Sequence, residues 1–168
     1  MTGQRLKEIL DTVRVQPDLA PVLDDAGKAI RTYCNVALDR VMGIMAIPRM
    51  VNPLNGQPLL ANDMIDIMES SPERFTKVSA DIAVARAAQG VLVVACQCEQ
   101  MHGHVAPVYP TQMAWSASWM KQVPVLSNVG QRNDVLRASQ CFRTEPDYYS
   151  VKIQTAPPEP PPDKEICL

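Results

Sequence analysis

From residue 91 to residue 109 the chain reads VLVVACQCEQMHGHVAPVY, and the reading of this stretch decides the fold. Residues 91–96 are apolar and rich in β-branched side chains, as a buried central strand should be. Residues 105–109 return to the same character. Two such runs joined by a polar, Gly-containing link predict a β-hairpin.

The link also carries both histidines of the protein, His102 and His104. An imidazole is the commonest base near neutral pH, so any such chemistry in this chain has only these two to use. Alternate residues of a strand face the same way, which would place His102 and His104 on one face and Gly103 on the other. The working expectation is that His104 serves a cysteine elsewhere, with Cys34 the best candidate. The plain alternative is a surface hairpin whose histidines do no chemistry.

Working outward toward the N-terminus, residues 81–89 read as a helix that Ser79 can cap and Gly90 can end. Residues 75–78 alternate as a short strand. Residues 61–68 have helical spacing, with Met64, Ile65, Ile67 and Met68 as core filler. Residues 48–60, rich in proline and asparagine, read as a loop. Residues 26–45 carry Ile30, Cys34, Leu38 and Val41 at near-helical spacing. Within that span Thr32 is placed to cap a new helix with Tyr33 and Cys34 in its first turn, where the partial positive charge of free N–H groups favours a thiolate. The competing reading makes Cys34 a small core residue inside one continuous helix. Pro17 and Pro21 bracket a link, and residues 4–13 form an amphipathic helix on Leu6, Ile9, Leu10 and Val13.

Toward the C-terminus, residues 111–122 form a polar connection. Trp115 and Trp119 are four apart there and predict a shared helical face, set either to flank a substrate groove or to cover the edge of the core. Residues 123–130 read as a strand, 134–142 as helical and 148–153 as a final strand. Helices first, then strands broken by one or two helices, predict an α+β fold with helices on a mainly antiparallel sheet.

The length of 168 residues suits one domain, residues 1–153, followed by a tail at 154–168 whose APPEPPPD run favours extended polyproline conformation. A net charge of −2 with no basic run argues against a nucleic-acid partner. No apolar stretch is long enough to span a bilayer, and the charged first residues lack a signal-peptide core, so synthesis in the cytoplasm without a signal peptide is expected. Five cysteines, an odd number, argue against a full disulfide framework and leave room for a reactive thiol or a metal site.

Several stretches together resemble the papain-like cell-wall cysteine peptidases of the NlpC and CHAP type. They are TYCNVALDRV at 32–41, FTKVSA at 75–80, AAQGVLVVA at 87–95, GHVAPV at 103–108, VPVLSNVG at 123–130 and FRTEPDYYSVK at 142–152. The likeness runs from about residue 26 to residue 153 and lies in order and local context. It implies a papain-like fold and a peptidoglycan hydrolase, endopeptidase or amidase, that needs no cofactor. Cys34 would be the nucleophile, His104 the base and Asn128 the residue that orients the imidazole. Tyr33, Asn35, Trp115 and Trp119 would contact substrate. Ser127, adjacent to Asn128, takes the third role if the strand register shifts by one. The NlpC-type motif has Asp before the cysteine and Ser-Gly after it. Here Tyr33, Asn35 and Val36 stand instead, which puts the substrate-amine contact and the cleaved bond in question. Such an enzyme would reach the wall as a phage lysin freed at lysis or as a toxin delivered by a secretion machine, the latter implying an immunity protein as partner.

Two rival classes follow from the same residues. Cys96, Cys98, His102 and His104, on opposite arms of the hairpin, form a candidate zinc set. A non-catalytic binding or immunity-type domain would keep the fold and show an unreactive Cys34.

Overall fold

A computed structural model describes residues 1–100 and 102–152. The proline-rich tail and Ile153 lie outside the described residues. The chain is α+β; the described residues form five α-helices, and the strand pairs among them are antiparallel.

The 91–109 stretch forms the predicted hairpin. β4 (Val93–Gln97) pairs antiparallel with β5 (His104–Pro107), with Val94 opposite Pro107 and Gln97 opposite His104. β10 (Asp147–Val151) lies on the other side of β4, and β3 (Phe75–Val78) beyond it, giving the sheet order β3-β10-β4-β5. Val93, Val94, Ala95 and Cys96 are all buried, so β4 is covered on both faces. Past β5 a single bridge, Val108 to Leu126, attaches the hairpin of β8 (Val125–Asn128) and β9 (Asp134–Arg137). That attachment brings the end of β8 alongside the start of β5.

The helices pack their apolar stripes on this sheet. α1 (Gly3–Arg14) buries Leu6, Ile9, Leu10 and Val13, with Thr2 capping its N-terminus by accepting from the Arg5 N–H. Tyr109, just past β5, donates its hydroxyl to Asp11 at 2.9 Å and fastens α1 to the sheet. α2 (Cys34–Ile44) buries Cys34, Ala37, Leu38, Val41 and Met42, a stripe at i, i+3, i+4, i+7 and i+8. The stripe sets the place of Cys34: it is the N-terminal member of the face turned to the core. α3 (Ala61–Ser70) contributes Met64, Ile65 and Met68, and α4 (Ala80–Ala88) contributes Ala83 and Ala87. Among the described residues no helix is long and apolar enough to cross a membrane.

Three stretches differ from their sequence patterns. Residues 26–45 are not one helix: β1 (Val22–Leu23) and β2 (Ala29–Arg31) form a small hairpin, and the helix starts only at Cys34. The Asp24 carboxylate accepts from the Ala26 and Lys28 N–H groups and Gly27 takes φ +77°, which makes a tight turn where helical spacing alone predicts a continuous helix. Ile30, placed by that spacing on the core face, is 67% exposed. Thr32 does not cap; Tyr33 occupies the N-cap position without a side-chain cap bond. Residues 111–122 contain no helix but the hairpin of β6 (Ala114–Ser116) and β7 (Lys121–Val123), turned by Met120 at φ 51°. Residues 134–142 split into β9 and the one-turn helix α5 (Ala138–Cys141), because pairing with β8 outweighs the local helical spacing.

Candidate active site

Cys34 and His104 are brought together by the packing of α2 on the start of β5. The imidazole faces the thiol closely enough for each to act on the other's ionisation, although the two are 70 positions apart in sequence. Cys34 stands in the first turn of α2, and its side chain is 6% exposed. Helix-terminal N–H groups have no intrahelical partner and favour negative charge beside them. The backbone N–H groups of Asn35 and Val105 also favour the thiolate.

Behind the ring, His104 Nε2 lies 2.8 Å from Asn128 Oδ1. The orientation of that amide is fixed independently. Asn128 Nδ2 donates to the Arg132 carbonyl at 2.6 Å, and a carbonyl can only accept. Oδ1 therefore faces the ring, so Nε2 carries the hydrogen and Nδ1 is left to Cys34. This is the tautomer that takes a proton from a thiol. Ser127 points away from the ring: it stands opposite Val135 in the β8–β9 ladder, one residue out of register.

The environment sets the two groups against each other. Burial pushes the Cys34 thiol up, but the hydrogen bond and charge of His104 outweigh it and leave the thiol below its ordinary value. Burial likewise pushes His104 down, while Cys34, the Asn128 hydrogen bond and the charge of Glu99 carry it above its ordinary value. Each group stabilises the charged form of the other, the condition for a thiolate–imidazolium pair.

Supporting residues that the sequence reading passed over surround the ring. Phe142 packs on it with centroids 5.2 Å apart and a 52° tilt. Gly130 lies against its edge. A Cβ there would stand 3.3 Å from Asn128 Nδ2, a tight contact to which the amide must yield slightly, and 3.4 Å from His104 Cε1, at the edge of ordinary contact. Asn133 holds the same turn by accepting from the Gly130 N–H at 3.1 Å and donating to the Leu19 carbonyl at 2.9 Å. On the other side, Asn62 of α3 donates to the Glu99 carbonyl at 3.0 Å, anchoring the link that leads into His104. The asparagines and the glycine in residues 128–133 were the available signal, since such turns are where side-chain amides bind backbone.

The residues expected to touch substrate separate. Tyr33 precedes the thiol and carries the Arg31 guanidinium over its ring at 5.2 Å. Asn35 donates to the Leu59 carbonyl at 2.8 Å, so its amide anchors the 48–60 loop to α2. Trp115 and Trp119 do not share a helical face. Trp115 is in β6 and 51% exposed; Trp119 is in the following turn, partly buried against the core. Their hairpin is tied to α5, with Ser116 Oγ and Ser139 Oγ 2.7 Å apart and Arg137 donating to the Trp115 carbonyl.

The zinc set does not assemble. Cys96 is opposite Val105 and Gln97 opposite His104, so Cys96 and His104 project from opposite faces of the hairpin. Cys96 is buried, Cys98 exposed, and His102 lies exposed before β5 rather than beside His104 on a strand. Among the described residues no group of three or more His, Cys, Asp or Glu side chains is placed to hold a metal ion. No family model and no curated protein sequence matches the chain.

Proposed function

We propose that the chain is a papain-like cysteine hydrolase that cleaves peptide or amide bonds in the stem peptides of peptidoglycan. One observation carries the chemistry: a thiol at a helix N-terminus faces an imidazole whose far nitrogen is held 2.8 Å from the Asn128 oxygen. The wall substrate rests on the resemblance of the motifs around these residues to the NlpC and CHAP peptidases.

In this reading the Cys34 thiolate attacks the carbonyl carbon, and the oxyanion that forms accepts from the Cys34 backbone N–H. The His104 imidazolium gives its Nδ1 proton to the leaving amine, which departs and leaves a thioester. His104 then takes a proton from water, the hydroxide attacks the thioester, and Cys34 leaves as thiolate. Asn128 keeps Nε2–H bound throughout, so the ring cannot turn its other nitrogen to the thiol.

Isolated sacculi incubated with the protein provide the test. New amine or carboxyl ends, identified by mass spectrometry and absent with Cys34→Ala, are the expected result. An intact wall together with an unreactive Cys34 would favour the non-catalytic binding domain, a reading that the low exposure of the thiol makes specific.

A further inference from the structure

We propose that Arg31 is a specificity-determining residue that pairs with a carboxylate of the peptide cleaved at Cys34, so that the substrate is an acidic peptide. The inference rests on the reading of Cys34 as the nucleophile.

Arg31 ends β2, three residues before the thiol, and is exposed. Its partner is an aromatic ring, as it is for Arg74 over Phe75, rather than a carboxylate. Arg5, Arg14, Arg40, Arg49 and Arg132 each hold a carboxylate. Among the described residues no carboxylate pairs with Arg31; it lies over an aromatic face instead. Stacking occupies the flat of a guanidinium and leaves the N–H groups along its edge free, in the fork geometry that matches a carboxylate.

The base of the stack is rigid. Tyr33 is the N-cap of α2, its carbonyl accepts from the Ala37 N–H at 2.9 Å, and its ring packs against the core. A long, flexible side chain is thereby held over the residue that precedes the nucleophile, with no carboxylate partner among the described residues. The free N–H groups at the start of α2 add positive potential at the nucleophile. Val22, opposite Arg31 in the β1–β2 ladder and 43% exposed, supplies an apolar neighbour for the stem of an acidic residue. A neutral or basic peptide would leave this cation without a partner; a carboxylate near the cleaved bond would satisfy it.

The test uses two small thiol reagents that differ only in charge, iodoacetate and iodoacetamide, on the full chain. In both, the thiolate sulfur displaces iodide and forms an S–CH2 bond, so the thiolate fraction cancels in the ratio of the two rates. Rates are read at Cys34 and Cys98 separately by peptide mass spectrometry. The expected iodoacetate-to-iodoacetamide ratio is higher at Cys34 than at Cys98. Arg31→Gln should lower it at Cys34 by roughly three- to tenfold, the scale of one nearby charge at a protein surface. Arg31→Lys should keep part of the preference, and Tyr33→Leu should lose more of it than Tyr33→Phe. A ratio at Cys34 that Arg31→Gln leaves within about twofold overturns the role of Arg31. A Cys34 that reacts with both reagents no faster than Cys98 overturns the nucleophile reading beneath it.

Discussion

The two arms of the β4–β5 hairpin, near the link that joins them, carry the same chemical types with opposite consequences. On β5, His104 meets Cys34 and Asn128. On β4 and in the link, Cys96, Cys98 and His102 crowd a few positions of sequence and form no site. Cys96 is buried in the sheet, where desolvation and then the charges of Asp147 and Glu69 push its thiol well above the ordinary range. Cys98 is exposed and also raised, by desolvation and by Asp66 and Glu69. Cys141, largely by burial, is pushed up to about 12. Cys34 is buried too, yet its thiol moves down, because an imidazole and helix-terminal N–H groups face it. Proximity in sequence placed four metal-type ligands within nine positions, and strand pairing turned Cys96 and His104 to opposite faces. What favours the thiolate at one cysteine and not at the others is the partner that tertiary packing supplies.

The largest separation between the two regions is expected from Cys34→Ala. Hydrolysis should fall by about a thousandfold or more, since the covalent path is lost. The circular dichroism spectrum should stay unchanged, since the alanine fills most of the same space. Cys96→Ala should leave the rate within about twofold, and equal losses in the two variants would erase the distinction.

A smaller effect, on both rate and stability, is expected from Asn128→Ala. It leaves the His104 Nε2–H and the Arg132 carbonyl without their partner. An unsatisfied buried polar group costs about 1–3 kcal/mol, to be read from denaturant unfolding. Catalysis should drop by roughly ten- to a hundredfold as the ring loses its fixed orientation. Ser127→Ala should leave the rate near that of the parent; the reverse ranking would mean that the register of β8 is shifted.

Gly130→Ala sharpens the comparison from the packing side. The added methyl presses lightly on the Asn128 amide and touches the ring, so the cost expected is at the low end for an overpacked site, about 1 kcal/mol. Mildest of all should be the double variant Cys98→Ser, His102→Ala. Its melting temperature and activity should match the parent, and added zinc should shift neither. A zinc-dependent rise in melting temperature that the double variant lacks would restore the metal reading.

Much of this arrangement could be read from the chain, for physical reasons that also mark where reading stops. The hairpin was legible because its strands are buried on both faces and its link is polar. α1 and α3 were legible because their apolar stripes repeat at helical spacing over three turns. The pairing of Asn128 with His104 followed from motif order, and the structure sets their side chains 2.8 Å apart. Residues 26–31 misled because Ile30 and Cys34 are four apart by coincidence, while the turn is made by the Asp24 side chain and Gly27. Residues 134–137 misled because their conformation is imposed by β8, a neighbour that local spacing does not encode. Phe142 carried no sequence signal of its role, since it reaches the site through contact with a distant element, His104.

The central claim is that Cys34 and His104 form a thiolate–imidazolium pair, and its pH dependence has a definite sign. His104 has a raised pKa, so its contribution to stability is full below its unfolded value and is lost as pH rises through the raised one. Cys34 has a lowered pKa, so its contribution is full above its unfolded value and is lost as pH falls through the lowered one. Between those limits the thiol is ionised where an ordinary cysteine, with a pKa of about 8.5, is not. Limiting iodoacetamide at about pH 6, with each labelled cysteine quantified by mass spectrometry, reads that state directly. Cys34 should label ahead of Cys96, Cys98 and Cys141, and His104→Ala should slow Cys34 while leaving Cys98 unchanged. Labelling of Cys34 no faster than the exposed Cys98, or indifferent to His104→Ala, would contradict the pair.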